Sequence, residues 1–271
     1  MKEKNFFDVK NKIIVIVGSL GILGRQYVNY LSNKGCTIII GDNDLKKCKG
    51  LSDHINKKNG CISYPLEIDV YDEKSIKLFY SSIYKITKKI DVIINNFQVK
   101  PDGFYNDFDN YSKDTLMKVI EGNTVGTVLS CKYASKYFLK QGYGNIINIS
   151  SIYGIVAPDQ RIYDGSVNPY DDNIKFSSPV SYGLSKSAII NLTKYLASYY
   201  REKNIRVNCL TPGGVFDDHN DEFLENYNSR TLLGRMAKKD EYCAAILFLC
   251  SEASSYMSGS NLIIDGGWSS I

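Results

Sequence analysis

A doubly wound α/β domain, with a mainly parallel seven-stranded sheet flanked by helices, is the fold class that this 271-residue sequence predicts. Three observations carry that expectation. Short, nearly all-apolar runs recur along the chain: "IIVIV" (13–17), "TIII" (37–40), "DVIINN" (91–96), "NIINIS" (145–150), "IRVNCL" (205–210) and "NLIID" (261–265). Continuous apolar character of this kind belongs to strands covered on both faces. Amphipathic stretches such as "EKSIKLFYSSIYKI" and "SAIINLTKYLASYYREKN" lie between them, an alternation that implies βαβ units with right-handed crossovers. No low-complexity linker or repeat divides the chain, so residues 1–271 are expected to form one domain.

Composition excludes several classes of function. The net charge is only +4 and the basic residues are scattered, which argues against a nucleic-acid partner. No apolar stretch reaches membrane-spanning length, and "MKEKNFFDVKNK" lacks a signal-peptide core, so a cytoplasmic protein without a membrane partner is expected. Seven cysteines show no C-x-x-C pair, as in a reducing compartment. With only two histidines, His54 and His219, a Ser-His-Asp hydrolase or a His-ligated metal site would have to rest on one of them; no metal site is expected.

The first strand leads into "GSLGILG", with Gly18, Gly21 and Gly24 spaced around Leu20, Ile22 and Leu23. Such a turn lets backbone N–H groups approach a pyrophosphate at a helix N-terminus. Asp42 ends the second strand, where a carboxylate can accept hydrogen bonds from both hydroxyls of an adenosine ribose. The expected cofactor is therefore NAD rather than NADP. Further on, "SYGLSK" sets Tyr182 and Lys186 four positions apart, on one helical face.

Taken in order, these motifs resemble the short-chain dehydrogenase/reductase family over nearly the whole chain. "IDV" (Asp69, Val70) is similar to its adenine-contact motif, "NNFQ" (from Asn95) to its Asn-Asn-Ala-Gly, and "EGNTVG" supplies Asn123. "NISSIYG" supplies Ser151, "YGLSK" supplies Tyr182 and Lys186, and "RVNCLTPGG" brings Pro212, Gly213 and, just beyond, Val215 to the nicotinamide end. The resemblance implies a Rossmann-type fold, an NAD-dependent alcohol–ketone oxidoreductase and packing of the helix after Lys186 against partner subunits in a homotetramer or homodimer. It also implies roles. Tyr182 is the acid–base, Lys186 lowers its pKa and holds the nicotinamide ribose, Ser151 orients the substrate oxygen, and Asn123 anchors a water leading to solvent. Asn95 is expected to tie neighbouring strands together. The chain departs from the family in having Gly21 one place early, Phe97 for alanine, and no threonine after Pro212–Gly213.

The gap from Ser151 to Tyr182 is also unusually long. Residues 157–179, rich in Pro, Asp and Asn, show neither helical nor strand period, and a loop of that length is usually functional or disordered. Its Asp159, Arg161, Tyr163, Asp164, Tyr170, Asp171, Asp172 and Lys175 suit a hydroxyl-rich ligand, so a sugar-like substrate is expected; the stretch resembles oxidoreductases of bacterial surface-sugar and flagellin glycan synthesis. Two other readings stand beside it: a 3-oxoacyl-thioester reductase, and a cofactor-binding regulator that has lost catalysis.

Overall fold

The structure is a computed structural model that describes residues 4–58, 60–166, 168 and 175–271. Seven strands form one sheet in the order β3-β2-β1-β4-β5-β6-β7, and every pairing is parallel. They are β1 (Ile13–Val17), β2 (Thr37–Asp42), β3 (Ile62–Glu67), β4 (Val92–Asn95), β5 (Gly144–Ile149), β6 (Ile205–Pro212) and β7 (Asn261–Ile264). Strand order reverses between β1 and β4, which opens a crevice at their C-terminal ends.

Period-two alternation divides the core between the two faces of the sheet. Ile14, Ile16, Ile38 and Ile40 point to one side, where they meet Tyr27, Val28 and Leu31 of α1 (Ile22–Ser32), Ile55 of α2 (Leu45–Asn56) and, further along the sheet, Ile246 of the helix Cys243–Cys250. Ile13, Val15, Val17 and Ile39 point to the other, against Phe79 and Tyr80 of α3 (Glu73–Thr87), Phe138 of a long helix and Leu196 of another. The strands are apolar throughout because both faces are covered. The two edge strands, β3 and β7, show mixed exposure, and β3 also tolerates Pro65.

Local chemistry sets where the helices begin. The side chains of Asp44, Asp72 and Ser112 accept backbone N–H groups in the first turns of α2, α3 and α4 (Lys113–Val119). α4 then widens into a π-helical stretch, Ile120–Val125, before continuing as α5 (Gly126–Gln141). α6 (Val180–Tyr199) starts immediately after Pro179, and α7 (Asp221–Ser229) is capped by Asn220. The helix Cys243–Cys250 is α8. No helix of the described residues is long and apolar enough to cross a membrane.

Candidate active site

A cleft of about 830 Å³ lies over the C-terminal ends of the central strands. At one end sits the glycine turn. Gly18 has φ +81°, in the left-handed region, and an added Cβ would come 2.7 Å from the Phe97 backbone. At Gly24 a Cβ would overlap the carbonyl oxygen of Gly18. Gly21 differs: the nearest atom to its would-be Cβ is the Gly18 oxygen at 3.7 Å, so the protein leaves room there. It is the N-cap of α1, with no side chain capping that terminus. An open approach to bare N–H groups at the head of an 11-residue helix fits a phosphate-bearing ligand.

Leu20, Gly21, Ile22 and Leu23 line the cleft, whereas Gly24 is buried beneath it. Asp42 is held beside the turn: Oδ2 accepts the Leu20 N–H at 2.9 Å and Oδ1 that of Asn43 at 2.9 Å. Asp69 and Val70 do not line the cleft. The Asp69 carboxylate is occupied by the Tyr71 N–H at 2.9 Å, and Val70 packs where Gly126 of α5 lets the helix come close. Asn95 is likewise turned inward. Its amide donates to Asn148 Oδ1 (2.9 Å) and its carbonyl accepts from Ser130 (2.6 Å), which joins β4, β5 and α5.

Across the cleft stand Ser151, Tyr182 and Lys186. Ser151 caps a 3₁₀ turn, Ile152–Gly154, that presses against α6; a Cβ on Gly154 would lie 2.8 Å from the Lys186 carbonyl. Ser150 Oγ donates to that same carbonyl at 2.7 Å. Burial raises the Tyr182 pKa, and a hydrogen bond with Ser151 partly offsets it. Lys186 is 5% exposed and its Nζ donates to the Ile149 carbonyl at 3.2 Å, 5.9 Å from the Tyr182 ring centre. Burial lowers its pKa to about 8, with Cys209 opposing. The phenol is thus a proton donor at neutral pH, beside an ammonium that loses its charge within a few pH units.

Asn123 lies in the π-helical stretch, a feature often found at functional sites. Its Oδ1 accepts the Val99 N–H (2.8 Å), and its Nδ2 donates to Ser185 Oγ (3.2 Å), which in turn donates to the Tyr182 carbonyl (2.9 Å). Its side chain therefore clamps the first turn of α6, and its carbonyl accepts Thr127 Oγ1 at 2.6 Å. At the end of β6, the Gly213 N–H bonds Ile264, the Gly214 N–H bonds the Tyr227 hydroxyl (2.6 Å), and Val215 bridges to Ala237. Pro212, Gly213 and Val215 all face the cleft.

Among its described residues, the insertion reaches the cleft through Tyr163, Phe176, Ser177, Ser178 and Pro179, and not through charged side chains. Tyr163 and Phe176 line it and pack on Phe223 of α7 at 5.5 and 6.0 Å between ring centres. Contrary to expectation, Asp159, Arg161, Asp164 and Lys175 do not line the cleft. Asp159 takes up Arg161 and Arg230, and Lys175 pairs with Asp164, so these charges satisfy one another at the rim. Tyr170, Asp171 and Asp172 lie outside the described residues. Sequence reading missed Tyr153, His219, Phe223 and Tyr227, which complete this wall. Only Tyr153 carried a local signal, two places after Ser151.

Fold and cleft define an α/β protein with a Ser–Tyr–Lys cluster at its switch-point crevice. Residues 12–166 match the family described as short chain dehydrogenase, and residues 171–269 match the one described as Enoyl-(Acyl carrier protein) reductase. The chain belongs to the short-chain dehydrogenase/reductase family and is an oxidoreductase. Post-translational flagellin modification protein A of Campylobacter coli is 30% identical over 264 residues, 96% of this chain and 99% of that protein. 3-Oxoacyl-(acyl-carrier-protein) reductase FabG of Aquifex aeolicus is 28% identical over 263 residues, 96% and 98% of the two chains. A short chain dehydrogenase from Leptospira borgpetersenii serovar Hardjo-bovis, solved with bound NAD+, is 31% identical with a TM-score of 0.84, covering 99% of this chain and 97% of that one.

Proposed function

We propose that this chain is an NAD-dependent oxidoreductase that interconverts an alcohol and a ketone on a sugar-like substrate. The observation that carries the reading is one cleft with the open glycine turn and Asp42 at one end and Ser151, Tyr182 and Lys186 at the other. When bound, the nicotinamide dinucleotide supplies or accepts the hydride. The N–H groups at the head of α1 hold its pyrophosphate, Asp42 accepts the adenosine ribose hydroxyls, and Lys186 holds the other ribose. Ser151 orients the substrate oxygen, and Tyr182 gives that oxygen its proton in reduction and removes it in oxidation. The aromatic wall supplies faces on which a sugar ring can lie. Ring-shaped polyhydroxy ketones should be reduced faster than acetoacetyl thioesters. A better acetoacetyl thioester would favour the FabG-like reading instead.

The Asp42 carboxylate should repel the extra phosphate of NADP, giving NADH roughly a hundredfold advantage in affinity. Asp42→Asn keeps an acceptor for the Leu20 N–H but not the charge, so it should relax the preference. Affinities for NADH and NADPH within about threefold in the wild type would refute this.

The two glycines make a paired prediction. Gly24→Ala drives a methyl into the Gly18 carbonyl and should lower stability by about 1–3 kcal/mol in thermal melts. Gly21→Ala should melt like the wild type yet bind NADH about tenfold less tightly, because only the ligand needs that space.

For assembly, Leu139 on α5 and Tyr195 and Tyr199 on α6 are 51%, 61% and 67% exposed. We assign these faces to subunit contacts in a dimer or tetramer, checked by light scattering at micromolar protein. A monomeric mass would refute the assignment.

A further inference from the structure

The segment between β6 and α7 carries His219 into the cleft lining. Its ring lies flat on Phe223, with centres 4.8 Å apart and planes 18° apart, which fixes its plane against the aromatic wall. Nδ1 accepts the main-chain N–H of Asp217 at 3.1 Å, so in the neutral ring the proton sits on Nε2. Nε2 has no hydrogen-bond partner among the described residues, and it is not among their sealed, unsatisfied atoms. Protonating the ring would set Nδ1–H against the Asp217 N–H. Burial also lowers the His219 pKa, although Asp217 and Asp218 oppose this.

The neighbouring tyrosine oxygens each have a protein partner, while the Tyr227 O–H remains able to donate. The Tyr227 oxygen accepts the Gly214 N–H at 2.6 Å, and the Tyr153 and Tyr163 hydroxyls lie 3.4 Å apart. The wall is therefore largely aromatic, and the His219 Nε2–H is a donor on it with no acceptor among the described residues.

We infer that His219 Nε2–H is a specificity-determining donor that binds a second oxygen of the substrate, remote from the carbon that Tyr182 and Ser151 serve. The chemical class implied is a ring ketone or alcohol that carries a further hydroxyl or carbonyl. This rests on the carbonyl-reducing reading of the cleft, and it deepens that reading by naming what the far end of the substrate must offer.

The test uses two ketones differing by one oxygen: cyclohexanone and a hydroxycyclohexanone with its hydroxyl across the ring. The measured quantity is the ratio of their kcat/KM values with NADH. His219→Phe keeps a ring to stack on Phe223 but removes the donor, and it should lower the ratio by about three- to tenfold. His219→Gln places an amide N–H near the Nε2 position and should restore much of it. If neither ketone is reduced, the proposed ring-ketone reading of the cleft fails. The same ratio is then read as binding affinities from the fluorescence of Trp268, the only tryptophan in the chain, which packs on Tyr227 at 4.6 Å. A ratio unchanged in His219→Phe by either readout overturns the inference. So does a loss of NADH affinity without a change in the ratio. With two histidines in the chain, nitrogen NMR gives an independent check: a His219 ring protonated at Nδ1 in the neutral form would contradict it.

Discussion

Tyr182→Phe is expected to fold, to bind NADH as the wild type does, and to lose about 10²–10⁴-fold in turnover. The substitution deletes one oxygen. The ring keeps its edge-to-face contact with Tyr153 (6.3 Å, 87°), and α6 keeps the clamp from Asn123 through Ser185, which acts on the Tyr182 carbonyl. The loss should therefore appear in kcat with little change in melting temperature. Retention of more than about a tenth of the wild-type turnover would show that another group moves the proton.

Lys186→Met should produce the second large effect, in two opposite directions. Turnover and NADH affinity should both fall, because in the proposed mechanism one ammonium serves both the phenol and the ribose. Stability at pH 7 should hold or rise. Burial lowers the Lys186 pKa from 10.5 to about 8, so carrying the charge into the fold at neutral pH costs about 3 kcal/mol. One or two buried Ile side chains, at roughly 1.5–3 kcal/mol each, offset that cost. The sign follows from the depressed pKa of a base. Below about pH 8 the ammonium is charged in both the folded and unfolded states and the full penalty applies. Between about 8 and 10.5 the unfolded chain holds the proton and the folded chain has released it, so wild-type stability rises relative to Lys186→Met. Denaturant melts of the two proteins across that window should converge as pH increases. In the wild type, kcat/KM for ketone reduction should fall as pH passes about 8, where the charge beside Tyr182 is lost. Parallel stability curves for the two proteins would show that Lys186 does not carry a strained charge.

Much of the frame was legible because its signals are local. Five of the six apolar runs begin within one residue of the observed strand starts, and the sixth, "IIVIV", coincides with β1. β3 gave no such run, since an edge strand exposes alternate residues and "ISYPLE" mixes polar and apolar side chains. The glycine turn, Asp42, Ser151 and the Tyr182–Lys186 pair could be placed from spacing and family pattern, because each depends on a few consecutive residues. What depends on how a side chain is surrounded in three dimensions was harder to read. Asp69 is a polar residue at a strand end, and the family pattern gave no sign that the Tyr71 N–H, two places on, occupies it, whereas the strand tie expected of Asn95 is made to Asn148. The side-chain role of Asn123 depends on a π-helical stretch and on Val99 and Ser185, far from it along the chain. In the described part of the insertion, Tyr163 lines the cleft as expected while Asp159, Arg161, Asp164 and Lys175 do not. Its Ile162, Tyr163 and Phe176 turn inward because α7 and Trp268 offer them an apolar surface, and its described acids and bases pair with one another. His219 gave no signal at all, since only the folded path of the β6–α7 segment brings its ring onto Phe223 of α7 and its Nδ1 to the Asp217 N–H.

The central claim is that Tyr182, aided by Lys186 and Ser151, moves a proton while hydride passes between a nicotinamide and a substrate carbon in this cleft. The most direct measurement is mass spectrometry of the product formed from a hydroxycyclohexanone and NADH deuterated at its transferable position. The wild-type protein should yield a diol with deuterium on the new carbinol carbon, and Tyr182→Phe should yield almost none in the same time. An unlabelled diol, or equal labelling by the two proteins, would contradict it.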